Sequence, residues 1–115
     1  MSQERRSEPR VDSSGLRLIA RDGLTGQLLG SVTNLSEHGL MLLGSHRLEG
    51  GGVVQLELRR ARAPQQPILE VAARIGWTGP AETPGNRWAG AHIIGISDAH
   101  ARTLRNLLQE AAGAA

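Results

Sequence analysis

The sequence has no cysteine, no lysine, no phenylalanine and no tyrosine, and two tryptophans are its only aromatic residues apart from histidine. Without cysteine, neither a disulfide framework nor a thiolate metal site is available. With so few large rings, a core must be assembled from Leu, Ile, Val and Ala. No apolar run approaches the roughly 20 residues that span a bilayer, so no membrane partner is expected. Met1 to Arg10 is charged and lacks the apolar stretch of a secretory signal, which makes a cytoplasmic setting the expectation. The four histidines, at 38, 46, 92 and 100, include no pair two or four apart and no adjacent acidic cluster, so no metal or other cofactor is expected. No nucleophile, base and orienting carboxylate fall together: Ser36 and His38, two apart on a turn, do not face one another, and an enzyme is not expected.

What is present fits one domain: 115 residues, with an ordinary apolar share of 39%. All 13 basic residues are arginine, against 11 acidic ones, for a net charge of +2. High-GC coding accounts for such a bias, while the functional counterpart is the planar guanidinium fork, suited to phosphates and guanine edges.

Residues 1–14 read as a polar N-terminal tail, with Pro9 disfavouring helix. From Leu16 the pattern has period two: Leu16, Leu18 and Ala20 alternate with Arg17, Ile19 and Arg21. Turns are expected at Asp22-Gly23, around Gly39, at Gly50-Gly51-Gly52 and over Gly79–Asn86. Between them, residues 27–34, 40–43, 53–59, 69–77 and 87–96 read as strands, and Ala63 to Pro67 break the pattern. Val54, Leu56 and Leu58 share one face of theirs; Leu69, Val71, Ala73, Ile75 and Trp77 share one face of the next. After Ser97 or Asp98, either of which can cap a helix, Ala101, Leu104, Leu108 and Ala111 recur at helical spacing over 98–112. Six strands in hairpin succession with one closing helix imply an all-β fold, a small six-stranded antiparallel barrel spanning 15–115.

Two segments carry candidate chemistry. Arg5 and Arg6-Ser7-Glu8-Pro9-Arg10 put three guanidinium groups on a short extended stretch that can clamp an anionic ligand from two sides, although charged solvated tails are common. Asn34-Leu35-Ser36-Glu37-His38-Gly39 follows a strand: Asn and Ser offer donors and acceptors to a base edge, and Gly39 permits a positive φ. The same residues also make an ordinary turn.

An Arg-x-x-x-Arg element before the first strand, followed about two dozen residues later by Asn-x-Ser-x-x-Gly between strands two and three, resembles the PilZ domain family. The resemblance covers nearly the whole chain. It takes in Arg5-Arg6, Arg10-Val11, Arg74-x-x-Trp77, Gly90-Ala91-His92-Ile93 and the closing helix; Ile93 stands where the family often has Phe, and Pro9 where an aromatic is frequent. It implies a non-enzymatic cyclic di-GMP receptor, with Arg6 and Arg10 on phosphates and guanine edges, Asn34 and Ser36 on a guanine, and Gly39 shaping the turn. Arg5 matches members that take two intercalated nucleotides. Trp77 is either a flat contact at the site's edge or a core residue of its strand. The implied mechanism is a change in N-terminal conformation on binding, read by a downstream protein partner. Two rivals remain: a PilZ-type protein-interaction module that no longer binds nucleotide, and a basic barrel binding nucleic acid. The strands lack the stacking platforms that single-strand binders use. A continuous stripe of Arg17, Arg21, Arg59 and Arg60 would favour nucleic acid.

Overall fold

A computed structural model describes residues 11–113. The chain runs β1 (Val11–Asp12), a 3-10 turn (Ser14–Leu16), β2 (Leu18–Asp22), β3 (Leu28–Leu35), β4 (Gly39–Gly44), β5 (Val53–Arg60), β6 (Ala63–Pro80), β7 (Arg87–Gly95) and α1 (Asp98–Gly113). All strand pairings are antiparallel, and β2, β5, β6, β7, β4 and β3 close into a six-stranded barrel through the β3–β4 pairing. Closure leaves β1 as an addition. It pairs with the end of β3 through Val11–Leu35 and Asp12–Asn34, on the edge that β2 occupies further back.

The alternations expected from the sequence point into the barrel. Leu56 and Leu58 of β5, and Leu69, Val71, Ala73 and Ile75 of β6, are all buried, and Ala89 and Ala91 meet them from β7. The core is aliphatic throughout, as the scarcity of aromatic residues requires. Helix α1 contributes Leu104, Leu107 and Ala111 and packs against β6, β1 and the 3-10 turn. Ser97 caps it: its hydroxyl accepts the His100 N–H at 3.1 Å, and its carbonyl accepts the Ala101 N–H at 2.8 Å. A guanidinium–carboxylate fork between Arg60 and Glu110, at 3.0 and 3.1 Å, ties the far end of α1 to β5 and lowers the Glu110 carboxyl below its ordinary range.

Three boundaries differ from the sequence reading. Residues 11–14, expected in the tail, contain β1 and the start of the 3-10 turn. Leu16 is buried but lies in that turn, not in a strand, and left-handed Arg17 (φ 53°) ends the turn before β2 begins. The cause is local: the Asp12 carboxylate accepts both the N–H and the hydroxyl of Ser14, so a side chain competes with the strand ladder. The third is β6, which continues through 63–67, because Pro64 and Pro67 fall where it has β5 alone as neighbour and no ladder bond to β7 is lost.

Candidate functional site

Two β-bulges shape one region of the outer wall. In β3 the register against β4 passes from Val32–Leu42 to Asn34–Met41, leaving Thr33 as an extra residue. Strict alternation would have put Asn34 inside with Val32. The bulge instead sends Leu35 into the core, fully buried, and leaves Asn34 outside. Ser13 braces the distorted stretch, its buried hydroxyl donating to the Val32 carbonyl and its N–H to that of Thr33, both at 3.1 Å. The second bulge lies in β6, where Ile75–Ala91 is followed by Trp77–Gly90 and Gly76 is extra. It reverses the phase of the strand, so Ile75 is buried and Trp77 is 53% exposed.

The consequence is a single outward rung across five strands: Asp12, Asn34, Met41, Gly90 and Trp77, each in register with the next. Gly90, without a side chain, separates Met41 from Trp77, and a Cβ there would lie 3.4 Å from the Met41 sulfur. Trp88 stands on the adjoining rung opposite Gly79, and the Trp77 indole lies against the Gly79 backbone, where a Cβ would come within 2.8 Å of Cζ2. Asp12, Ser14, Thr33, Asn34, Met41, Trp77 and Trp88 line an open cavity of about 610 Å³, within the usual size of a small-molecule site. Both tryptophans of the chain therefore border this cavity, and neither contributes to the core. Among the lining residues Asp12 alone is ionic. Its contacts with Ser14 hold its carboxyl below the ordinary range.

The site residues expected from the sequence are placed as follows. Asn34 and Trp77 meet at the cavity, and for Trp77 the core alternative is ruled out by the bulge. Ser36 is 2% exposed, its hydroxyl accepting the His38 N–H and donating to the Gly39 carbonyl, both at 3.3 Å. Gly39 does not supply a positive φ. It is the first residue of β4, paired with His92, and the reversal is held by the Ser36 side chain and by the Ser36 N–H donating to the Gly39 carbonyl at 2.8 Å. Arg5, Arg6 and Arg10 lie outside the described residues; their segment joins the described chain at Val11, the partner of Leu35 beside Asn34. Sequence reasoning missed Asp12 and Trp88. The second was detectable, because Ala89 and Ala91 alternate with Trp88 and Gly90, and small residues on the inner face send the tryptophan outward.

From this geometry, Ser36→Ala is expected to lower the thermal midpoint by an amount equivalent to about 1–2 kcal/mol, since a buried hydroxyl linking the two sides of the turn is lost. Asn34→Ala, on the outer wall, is expected to lower the midpoint by less than Ser36→Ala does. Thermal unfolding of the two variants side by side checks both.

The PilZ domain family model matches residues 4–110. The chain belongs to the PilZ domain family. Of solved structures, the inhibitor of motility (MotI/DgrA) of Bacillus subtilis is similar to this PilZ chain, with a TM-score of 0.70 and 16% sequence identity. The match covers 97% of this chain and 52% of that one, so this chain spans about half the length of its structural relative. A search of curated proteins finds no match. The closed six-stranded barrel with one C-terminal helix is thus the PilZ architecture, and the cavity lies on its outer wall beside the Asn-x-Ser-x-x-Gly turn. Among the described residues, no helix of this PilZ domain is long and apolar enough to cross a membrane.

Proposed function

We propose that this PilZ domain is a non-enzymatic receptor for cyclic di-GMP, taken up at the cavity between β1, β3, β4, β6 and β7. The observation that carries the reading is the placement of the chain's two tryptophans. Exposing indole surface forfeits burial that the aliphatic core could use, and here both rings border one polar-edged cavity. Purine faces stack on such rings, and Asn34 between them and β1 offers a donor and an acceptor to a base edge. Two phosphates require cations, and the cavity walls described supply none. Arg6 and Arg10 are the groups assigned to them, on a segment that joins the barrel next to Asn34. Arg5 fits a second, stacked nucleotide. Binding changes the conformation of that N-terminal segment, and a partner protein reads the result.

The arginines bear on the nucleic-acid alternative. Arg59 is paired with Glu57 at 2.6 Å and donates to the Pro64 carbonyl, Arg60 is forked on Glu110, and Arg21 donates to the Gly26 carbonyl at 3.2 Å. Two of the four arginines that would form a stripe, Arg59 and Arg60, are paired with carboxylates, which weighs against these four as a basic track for a polynucleotide backbone.

The test uses the protein's own fluorophores. With no tyrosine present, emission comes from Trp77 and Trp88 alone. Cyclic di-GMP is expected to perturb that emission saturably. Trp77→Ala is expected to weaken binding by about 1–3 kcal/mol, the worth of one base–aromatic stack, while leaving the unfolding midpoint nearly unchanged. Binding unaffected by Trp77→Ala would place the nucleotide elsewhere.

A further inference from the structure

We propose that Asp12 is the specificity residue of this site, its carboxylate accepting the N1–H and 2-amino donors of guanine and so selecting guanine over adenine. This rests on the cavity being the nucleotide site.

A cavity that takes an anionic ligand has no use for a carboxylate beside a phosphate, where like charges repel. Yet Asp12 lines it, exposed, directly opposite Asn34 in the β1–β3 ladder. Its Oδ1 accepts both hydrogen bonds from Ser14, and Oδ2 accepts none among the described residues. Those two bonds fix the carboxylate's orientation and favour its ionised form, which accepts hydrogen bonds and donates none. A group of that kind needs a donor on the ligand. The Watson–Crick edge of guanine places N1–H and the 2-amino group side by side, two donors facing outward. Adenine has a lone pair at N1, which a carboxylate repels, and its amino group on this edge sits at C6, on the other side of N1, so the adjacent pair of donors is missing. A site built around one edge in this way discriminates more strongly than a site that only stacks, because the wrong base leaves the charged acceptor unpaired. Stacking on Trp77 and Trp88 does not distinguish the two purines.

The variant that tests this is Asp12→Asn. Its remaining carbonyl oxygen still accepts from Ser14, so the turn is kept, while the second carboxylate oxygen becomes an NH₂ donor. That donor clashes with the guanine edge and suits the adenine N1. Calorimetric titrations with cyclic di-GMP and with cyclic di-AMP are compared between the unaltered protein and the variant, together with the thermal midpoints. The expected result is a loss of about ten- to a hundredfold in cyclic di-GMP affinity, no loss for cyclic di-AMP, and an unchanged midpoint. If both ligands weaken equally, or neither changes, Asp12 only holds the Ser14 turn and the proposal is overturned. A fall in midpoint matched by equal losses for the two ligands overturns it as well. If the unaltered protein binds cyclic di-GMP but the ratio of affinities does not move in the variant, this inference fails and the receptor reading stands. Absence of cyclic di-GMP binding by the unaltered protein overturns both.

Discussion

Arg6→Ala and Arg10→Ala are each expected to weaken cyclic di-GMP binding by roughly 2–4 kcal/mol, with the unfolding midpoint of the free protein unchanged. The expectation follows from what the cavity lacks. Its described walls hold two indoles, an amide, two hydroxyl side chains, a thioether and one carboxylate, and no cation. A ligand with two phosphates must find its counter-charges elsewhere. The segment carrying Arg6 and Arg10 enters the barrel at Val11, one rung from Asn34. A guanidinium gives each phosphate two parallel charge-assisted bonds, so removing one leaves a desolvated anion with reduced compensation. The affinities are read by calorimetry at fixed ionic strength, since exposed charges are screened by salt. Both variants binding like the unaltered protein would remove the arginines from the site.

Leu104→Ala is expected to cost about 2–5 kcal/mol of stability, a large part of what a domain of this size possesses. Leu104 is 2% exposed and lies in the cluster shared by α1 and the barrel. No larger side chain is at hand to fill the space, because the core among the described residues has no aromatic member. The denaturation midpoint is expected to fall with little change in the slope of free energy against denaturant. Ligand affinity should fall as well. Helix α1 packs against β1 and the 3-10 turn, which carry Asp12 and Ser14 to the cavity, so loosening the helix loosens that wall. A Leu104→Ala protein as stable as the original would mean that α1 is peripheral to the core. Trp77→Ala makes the opposite pair of predictions, for affinity and not for stability, because the ring lies outside.

The barrel itself is readable from the sequence because its strands alternate cleanly where they are regular. Leu56 and Leu58, and Leu69 through Ile75, face inward as their spacing predicts. The helix is readable from its period and its Ser97 cap. The candidate site is legible only in part, and the reason is physical. Each bulge inserts one residue and reverses the inward–outward phase of everything after it. Trp77 continues the buried series Leu69, Val71, Ala73, Ile75 on paper, and Gly76 alone moves it to the surface. Asn34 is shifted outward in the same way by Thr33. Nothing in a period-two pattern marks where such a residue is accommodated. The Asp12–Ser14 contact is hidden for a different reason: it is a side chain competing with the backbone ladder, in a stretch too short to show any period. Gly39 departs from its expected role because a hydroxyl, that of Ser36, holds the reversal without a left-handed residue.

Calorimetric titration of the unaltered protein with cyclic di-GMP, with GTP and cyclic AMP as controls, tests the receptor reading most directly. Saturable binding of cyclic di-GMP is predicted, with much weaker binding of both controls, since neither presents two guanines joined through two phosphates. Absence of binding, or equal affinity for all three nucleotides, would contradict that reading.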